Sequence, residues 1–173
     1  MHLCGEINMK KIVLIFLITL LISGCVNKPI NNKTNENVIN NNQDDKLIID
    51  NYDLTLNENG SFDIISFKYP HAASISSLIT RETITYYKKA SLEPLFNILL
   101  GKMEHTSIEE AMKGFTKVGT KTINGIEWQL YVSENNQNNY VIKKDYDVFV
   151  IGFIYNTDLS KFEEEFMNTV KIN

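Results

Sequence analysis

The sequence predicts an α+β domain, an antiparallel β-sheet of about six strands layered with amphipathic helices. Three observations lead there. Several short segments alternate apolar and polar residues between Asn- and Gly-containing turns, the pattern of strands joined as hairpins. Two other segments carry apolar residues at helical spacing behind Ser, Thr or Asp caps. A helix with one apolar face has to bury it, and a half-buried sheet is the surface available.

The elements follow in order. Leu47 to Asp50 is a short apolar piece suited to an edge strand. Asn57-Glu58-Asn59-Gly60 reads as a turn, because Asn and Gly tolerate positive φ. Phe62 to Tyr69 is a strand ended by Pro70. Thr83 to Lys88, rich in Thr and Tyr, is a second strand. Phe96 to Met103 fits strand or helix by period; Pro94 and Gly101 favour the strand.

Thr106 and Ser107 precede Glu109 and Glu110, a capping box in either register. Ile108, Ala111, Met112, Phe115 and Val118 then form one apolar helical face, which ends at Gly119. Asn124-Gly125 is the favoured two-residue hairpin turn, and Ile126, Trp128 and Leu130 alternate after it. Asn135 to Asn139 is a loop. Tyr140 to Lys144 and Val148 to Tyr155 are strands, the second apolar on both faces and therefore central. Thr157 or Asp158 caps a last helix that turns Leu159, Phe162, Phe166 and Val170 inward.

Composition bounds the function. The chain has 173 residues, 43% apolar and 22% charged, which suits one globular domain. Its net charge is −4 and its single arginine is Arg81, so it lacks the clustered cations that a nucleic acid backbone requires. Two cysteines, Cys4 and Cys25, provide neither a disulfide framework nor a Cys-rich zinc site.

The N-terminus carries an address. Lys10 and Lys11 precede the apolar run Ile12 to Ile22, and Ser23, Gly24 and Cys25 follow. Basic, apolar and small-residue regions in that order describe a secretory signal peptide. Its apolar core is too short for a permanent span, which needs about 20 residues. Leu21-Ile22-Ser23-Gly24-Cys25 resembles the lipobox of bacterial lipoproteins, with Ile22 where that family more often has Leu. The resemblance implies cleavage between Gly24 and Cys25, diacylglycerol on the Cys25 sulfur, and a lipid anchor at the extracytoplasmic face of the cell membrane. Glu6 ahead of the basic pair points to Met9 as the true start.

The expected organisation is therefore a signal peptide over 1–24, lipidated Cys25 with a tether to residue 45, and a globular domain over 46–173. Eight of the twenty residues from Val26 to Asp45 are Asn and no apolar period runs through them, so they bury too little to offset ordering entropy.

Within the domain, Phe67-Lys68-Tyr69-Pro70, Phe96-Asn97-Ile98, the Ser107 helix start and Asn124-Gly125-Ile126-Glu127-Trp128 occur in an order that resembles the PsbP-like superfamily, including DcrB-like lipoproteins. That resemblance implies a sheet between helices and a non-catalytic binding or assembly role. No functional residue of that family is carried over.

Catalytic and ligand motifs are incomplete. Gly114 to Thr122 nearly spells a phosphate loop, but its lysine comes one residue late and a helix precedes it. Thr55 to Ser66 lacks the first and last carboxylates of a calcium loop. His71 and His105 stand apart; His71 with Asp63 or Glu104 would make only a weak metal site, and no metal or cofactor is expected. Ser74, Ser76 and Ser77 near His71 invite a hydrolase reading, but a Ser-rich loop is the simpler one. Glu109 and Glu110 serve a helix dipole, and Glu163 to Glu165 form a solvated helix face.

Tyr86-Tyr87 is the candidate partner-binding patch, since alternation exposes one of the two. The expected function is a membrane-anchored, non-enzymatic binding or assembly module with a membrane-protein partner. The alternative is a carrier of a small hydrophobic ligand or metal ion.

Overall fold

Asn124 and Gly125 take positive φ, 52° and 76°, and join β8 (Thr116–Ile123) to β9 (Ile126–Val132) as a two-residue hairpin. The same economy recurs at Asp145-Tyr146, between β10 (Asn138–Lys144) and β11 (Asp147–Tyr155), where Asp145 supplies the positive φ. β10 also pairs with β9, so β8 to β11 form one antiparallel meander.

The computed structural model describes residues 46–155 and 157–173. A second meander runs through β5 (Ser74–Leu78), β6 (Arg81–Tyr87) and β7 (Pro94–Met103). β7 pairs antiparallel with β11, which fuses the two meanders into a seven-stranded sheet in the order β5-β6-β7-β11-β10-β9-β8. β11 is central, as its two apolar faces require.

The second layer is mostly strand too. β3 (Leu56–Phe62), β4 (Ile65–Pro70) and β12 (Lys171–Ile172) form a three-stranded sheet, and β1 (Ile48–Ile49) pairs with β2 (Tyr52–Asp53). Among the described residues the helices are α1 (Ile108–Ala111), a single turn, and α2 (Ser160–Thr169). Phe166 of α2 lies between the sheets, 5.7 Å from the Phe67 ring and 5.6 Å from the Phe153 ring. Register stacks Tyr86, Phe96 and Tyr155 across β6, β7 and β11, then Ile84, Ile98 and Phe153, so the large side chains fall on one face. α1 closes the other face at one end, packing Ile108 and Met112 on Tyr131, Val141 and Val148.

The α+β expectation is overturned. The described residues are 57% strand and 11% helix, a β-rich fold, and the sheet-between-helices arrangement implied by the PsbP-like resemblance falls with it. Two segments account for most of the difference. The expected helix from Ile108 to Val118 starts where its cap says, with Ser107 Oγ accepting from Glu110 N at 3.1 Å. It stops after one turn at Met112, and Gly114 takes φ 94°. Thr116, Val118, Thr120 and Thr122 are β-branched at period two, and β9 offers them a ladder. Gly119 is therefore not a helix stop but part of a bulge in β8, and Val118 is exposed.

The second segment is Asn57 to Gly60, which is strand rather than turn. Gly60 faces Phe67 across the β3–β4 pair, and the Phe67 ring occupies the space a side chain at Gly60 would fill. The real turn is Asp63-Ile64, with Asp63 at φ 51°, and it divides the single strand expected from Phe62 to Tyr69.

Candidate functional site

β6 alternates between a buried and a partly exposed face. Glu82, Ile84 and Tyr86 point to the core, whereas Tyr87 is 44% exposed. The Tyr86 hydroxyl donates to the Asp53 carbonyl at 3.2 Å, and its ring stacks on Phe96 at 5.5 Å. Burial, with the Asp53 charge, raises the Tyr86 phenol above its usual pKa. Of the tyrosine pair, Tyr86 is a packing residue and Tyr87 the surface residue.

Beside β6 lies β5, an edge strand of the seven-stranded sheet. Its five residues, Ser74 to Leu78, are all exposed, and Ile79 at the following turn is 100% exposed. The serines expected in a loop after Pro70 are thus in a strand. Ser77 Oγ donates to Glu82 Oε2 at 2.9 Å. Glu82 is 7% exposed, and its other oxygen is buried without a hydrogen-bond partner. The opposite edge, β8, carries Lys117 and Lys121 around its bulge. Edge charges and bulges deter a further strand from pairing, and β5 has neither.

The other polar clusters resolve into structural roles. The His71 ring pairs with Glu58 at 2.6 Å and is well exposed, so the Ser–His arrangement weighed from the sequence is not assembled. Asp63 and Glu104, considered as His71 partners, both meet Lys102 instead, at 2.9 and 3.7 Å. Asp147 joins them at 3.2 Å, and Asp63 with Asp147 holds the Lys102 ammonium well above its usual pKa. Asp147 is lowered, first by the His105 backbone N–H and then by Lys102. Among the described residues no group of three or more His, Cys, Asp or Glu could hold a metal ion.

Glu163 differs from its expected place. Glu164 and Glu165 are exposed, but Glu163 is 5% exposed. It accepts from the Tyr140 hydroxyl at 2.8 Å, the Tyr155 hydroxyl at 3.0 Å and Asn138 Nδ2 at 3.0 Å. Burial, with the Glu163 charge, raises both phenols. A signal was available in the sequence: Glu163 lies four residues after Leu159 and three before Phe166, inside the apolar stripe.

Gly24, Cys25, Met9 and the tether lie outside the described residues. Among the described residues no helix is long and apolar enough to cross a membrane. Set against family models and curated proteins, the sequence matches none of them.

Proposed function

We propose that this chain is a lipid-anchored, non-catalytic binding module, held through Cys25 at the extracytoplasmic face of the membrane, that meets its partner along the β5–β6 hairpin. The observation that carries the contact is β5 itself, an uncharged edge strand whose five residues are all exposed, in a sheet whose other edge is guarded by lysines. An open edge pairs with any extended segment through main-chain hydrogen bonds, and side chains then set specificity. Tyr87, Leu78 and Ile79 supply exposed apolar area on the same hairpin. The lipobox-like Leu21 to Cys25 supports the anchor, because two or more acyl chains hold a protein stably where one does not.

The test is expression of the full chain beside Cys25→Ser and Ser76→Lys variants. Loss of the lipid mass and release of the Cys25→Ser chain from the membrane fraction are expected. The Ser76→Lys chain should stay in the membrane and lose its cross-linked partner. Retention of Cys25→Ser in membranes would remove the anchor reading. A saturable hydrolytic or transfer activity of the purified chain would remove the non-catalytic one.

A further inference from the structure

Asn124 does more than turn the β8–β9 hairpin. Its side-chain Nδ2 donates to the Asn168 carbonyl at 2.7 Å and to the Val170 carbonyl at 3.2 Å. Carbonyls at a helix C-terminus lack intrahelical donors and carry the negative end of the dipole. α2 has no basic residue in its last turn, and a neutral amide from a hairpin distant in sequence reaches its end. Just beyond, β12 is two residues long and pairs with β4, and Asn173 N donates to the Ile64 carbonyl at 2.8 Å. The Asn124 amide is thus a clasp between the hairpin and the C-terminal segment.

The same dipeptide is open to a covalent change. A glycine leaves its backbone nitrogen accessible to the side chain before it. Gly125 is exposed, and nothing lies within 4 Å of the position a side chain there would take. We propose that Asn124 is a modification site, and that its deamidation opens the clasp. Gly125 N attacks Asn124 Cγ, the bond from Cγ to Nδ2 breaks, and ammonia leaves. Water then opens the cyclic imide at either carbonyl. The product is Asp or isoaspartate as a carboxylate, and the ammonia takes up the proton.

The product cannot refasten. An ionised carboxylate only accepts hydrogen bonds, so two bonds to carbonyl oxygens become two repulsions. It also sets a negative charge at the negative end of α2. The intact clasp resists its own conversion, because ring closure requires the side chain to swing from the α2 carbonyls back onto Gly125 N. Deamidation therefore follows opening and makes it permanent. Asn59-Gly60, the other Asn-Gly pair in the sequence, provides an internal contrast. Asn59 faces Lys68 across the β3–β4 pair, so a new carboxylate there meets a cation instead of a helix end.

The test is ageing of the full chain in mildly alkaline buffer, followed by peptide mapping and hydrogen exchange, both read by mass spectrometry. Asn124 should gain the mass of an amide-to-acid change, at least tenfold faster in urea than in the folded chain. Chains converted at Asn124 should exchange the Val170 and Asn173 amides, which donate to Met167 and Ile64, at least tenfold faster than unconverted chains. Chains converted only at Asn59 should not. Asn124→Asp should reproduce the effect without ageing. Asn124→Gly keeps a residue suited to positive φ, removes the donor and adds no charge, so its effect should be smaller. Three results would each overturn the proposal: an Asn124 that survives in the folded chain after Asn59 is wholly converted, unchanged exchange at Val170 and Asn173 after conversion, or equal exchange in Asn124→Asp and Asn124→Gly.

Discussion

Glu163→Ala should be strongly destabilising although it removes a charged side chain from α2. Three donors from two strands converge on this carboxylate: Tyr140 and Asn138 from β10 and Tyr155 from β11. Truncation leaves all three without an acceptor. The Tyr140 hydroxyl is the most buried, and an orphaned buried donor costs about 1–3 kcal/mol. Tyr155 and Asn138 are half-buried and can recover water, so about 0.5–1 kcal/mol each is the expected cost. Relief from burying a carboxylate offsets part of the sum. The net expectation is about 3 kcal/mol, or a fall in Tm of about 12 °C at roughly 4 °C per kcal/mol for a domain of this size.

The assay is thermal and urea unfolding of Glu163→Ala, Glu163→Gln and a double-mutant cycle with Tyr140→Phe. Glu163→Gln keeps one acceptor oxygen and should lose about 1 kcal/mol. Tyr140→Phe in the Glu163→Ala background should return at least about 1 kcal/mol, because it removes the orphaned hydroxyl. A loss under about 1 kcal/mol for Glu163→Ala, with no coupling in the cycle, would refute the reasoning.

Three further outcomes are expected. Tyr140 and Tyr155 have folded pKa values raised above the ordinary 10, so their contribution is complete below about pH 10 and is lost as pH rises beyond it; alkaline unfolding followed by circular dichroism should be shallower in Tyr140→Phe. Asp147 is depressed below its ordinary 3.8, so its contribution holds above that value and fades as pH falls; Asp147→Asn should flatten acid unfolding below about pH 4 and leave neutral-pH unfolding cooperative. Gly60→Ala should cost about 2 kcal/mol, because its methyl displaces the Phe67 ring from Phe166; an unchanged or higher Tm would show that the ring can move aside.

What sequence determined by itself is local. The Asn124-Gly125 turn, the Ser107 cap and the alternation of Tyr86 and Tyr87 each depend on a few adjacent residues, and each stands in the structure as read. The apolar run of β11 announced a central strand, because burial on both faces leaves no room for polar residues. The candidate site was only half legible. Tyr87 could be placed on a surface by period, but β5 could not be identified as an edge, since strand order is a property of the whole sheet and not of Ser74 to Leu78.

Tertiary structure decided the rest where local preferences were balanced. Residues from Met112 to Val118 fit a helix and a strand at once, and the ladder offered by β9 drew Thr116 onward into the sheet. Asn57 to Gly60 would turn in isolation; the Phe67 ring lying over Gly60 holds them extended. Glu163 belongs on a surface by its charge. Three donors arriving from β10 and β11 make burial tolerable, because a carboxylate can leave water only where its hydrogen bonds are replaced.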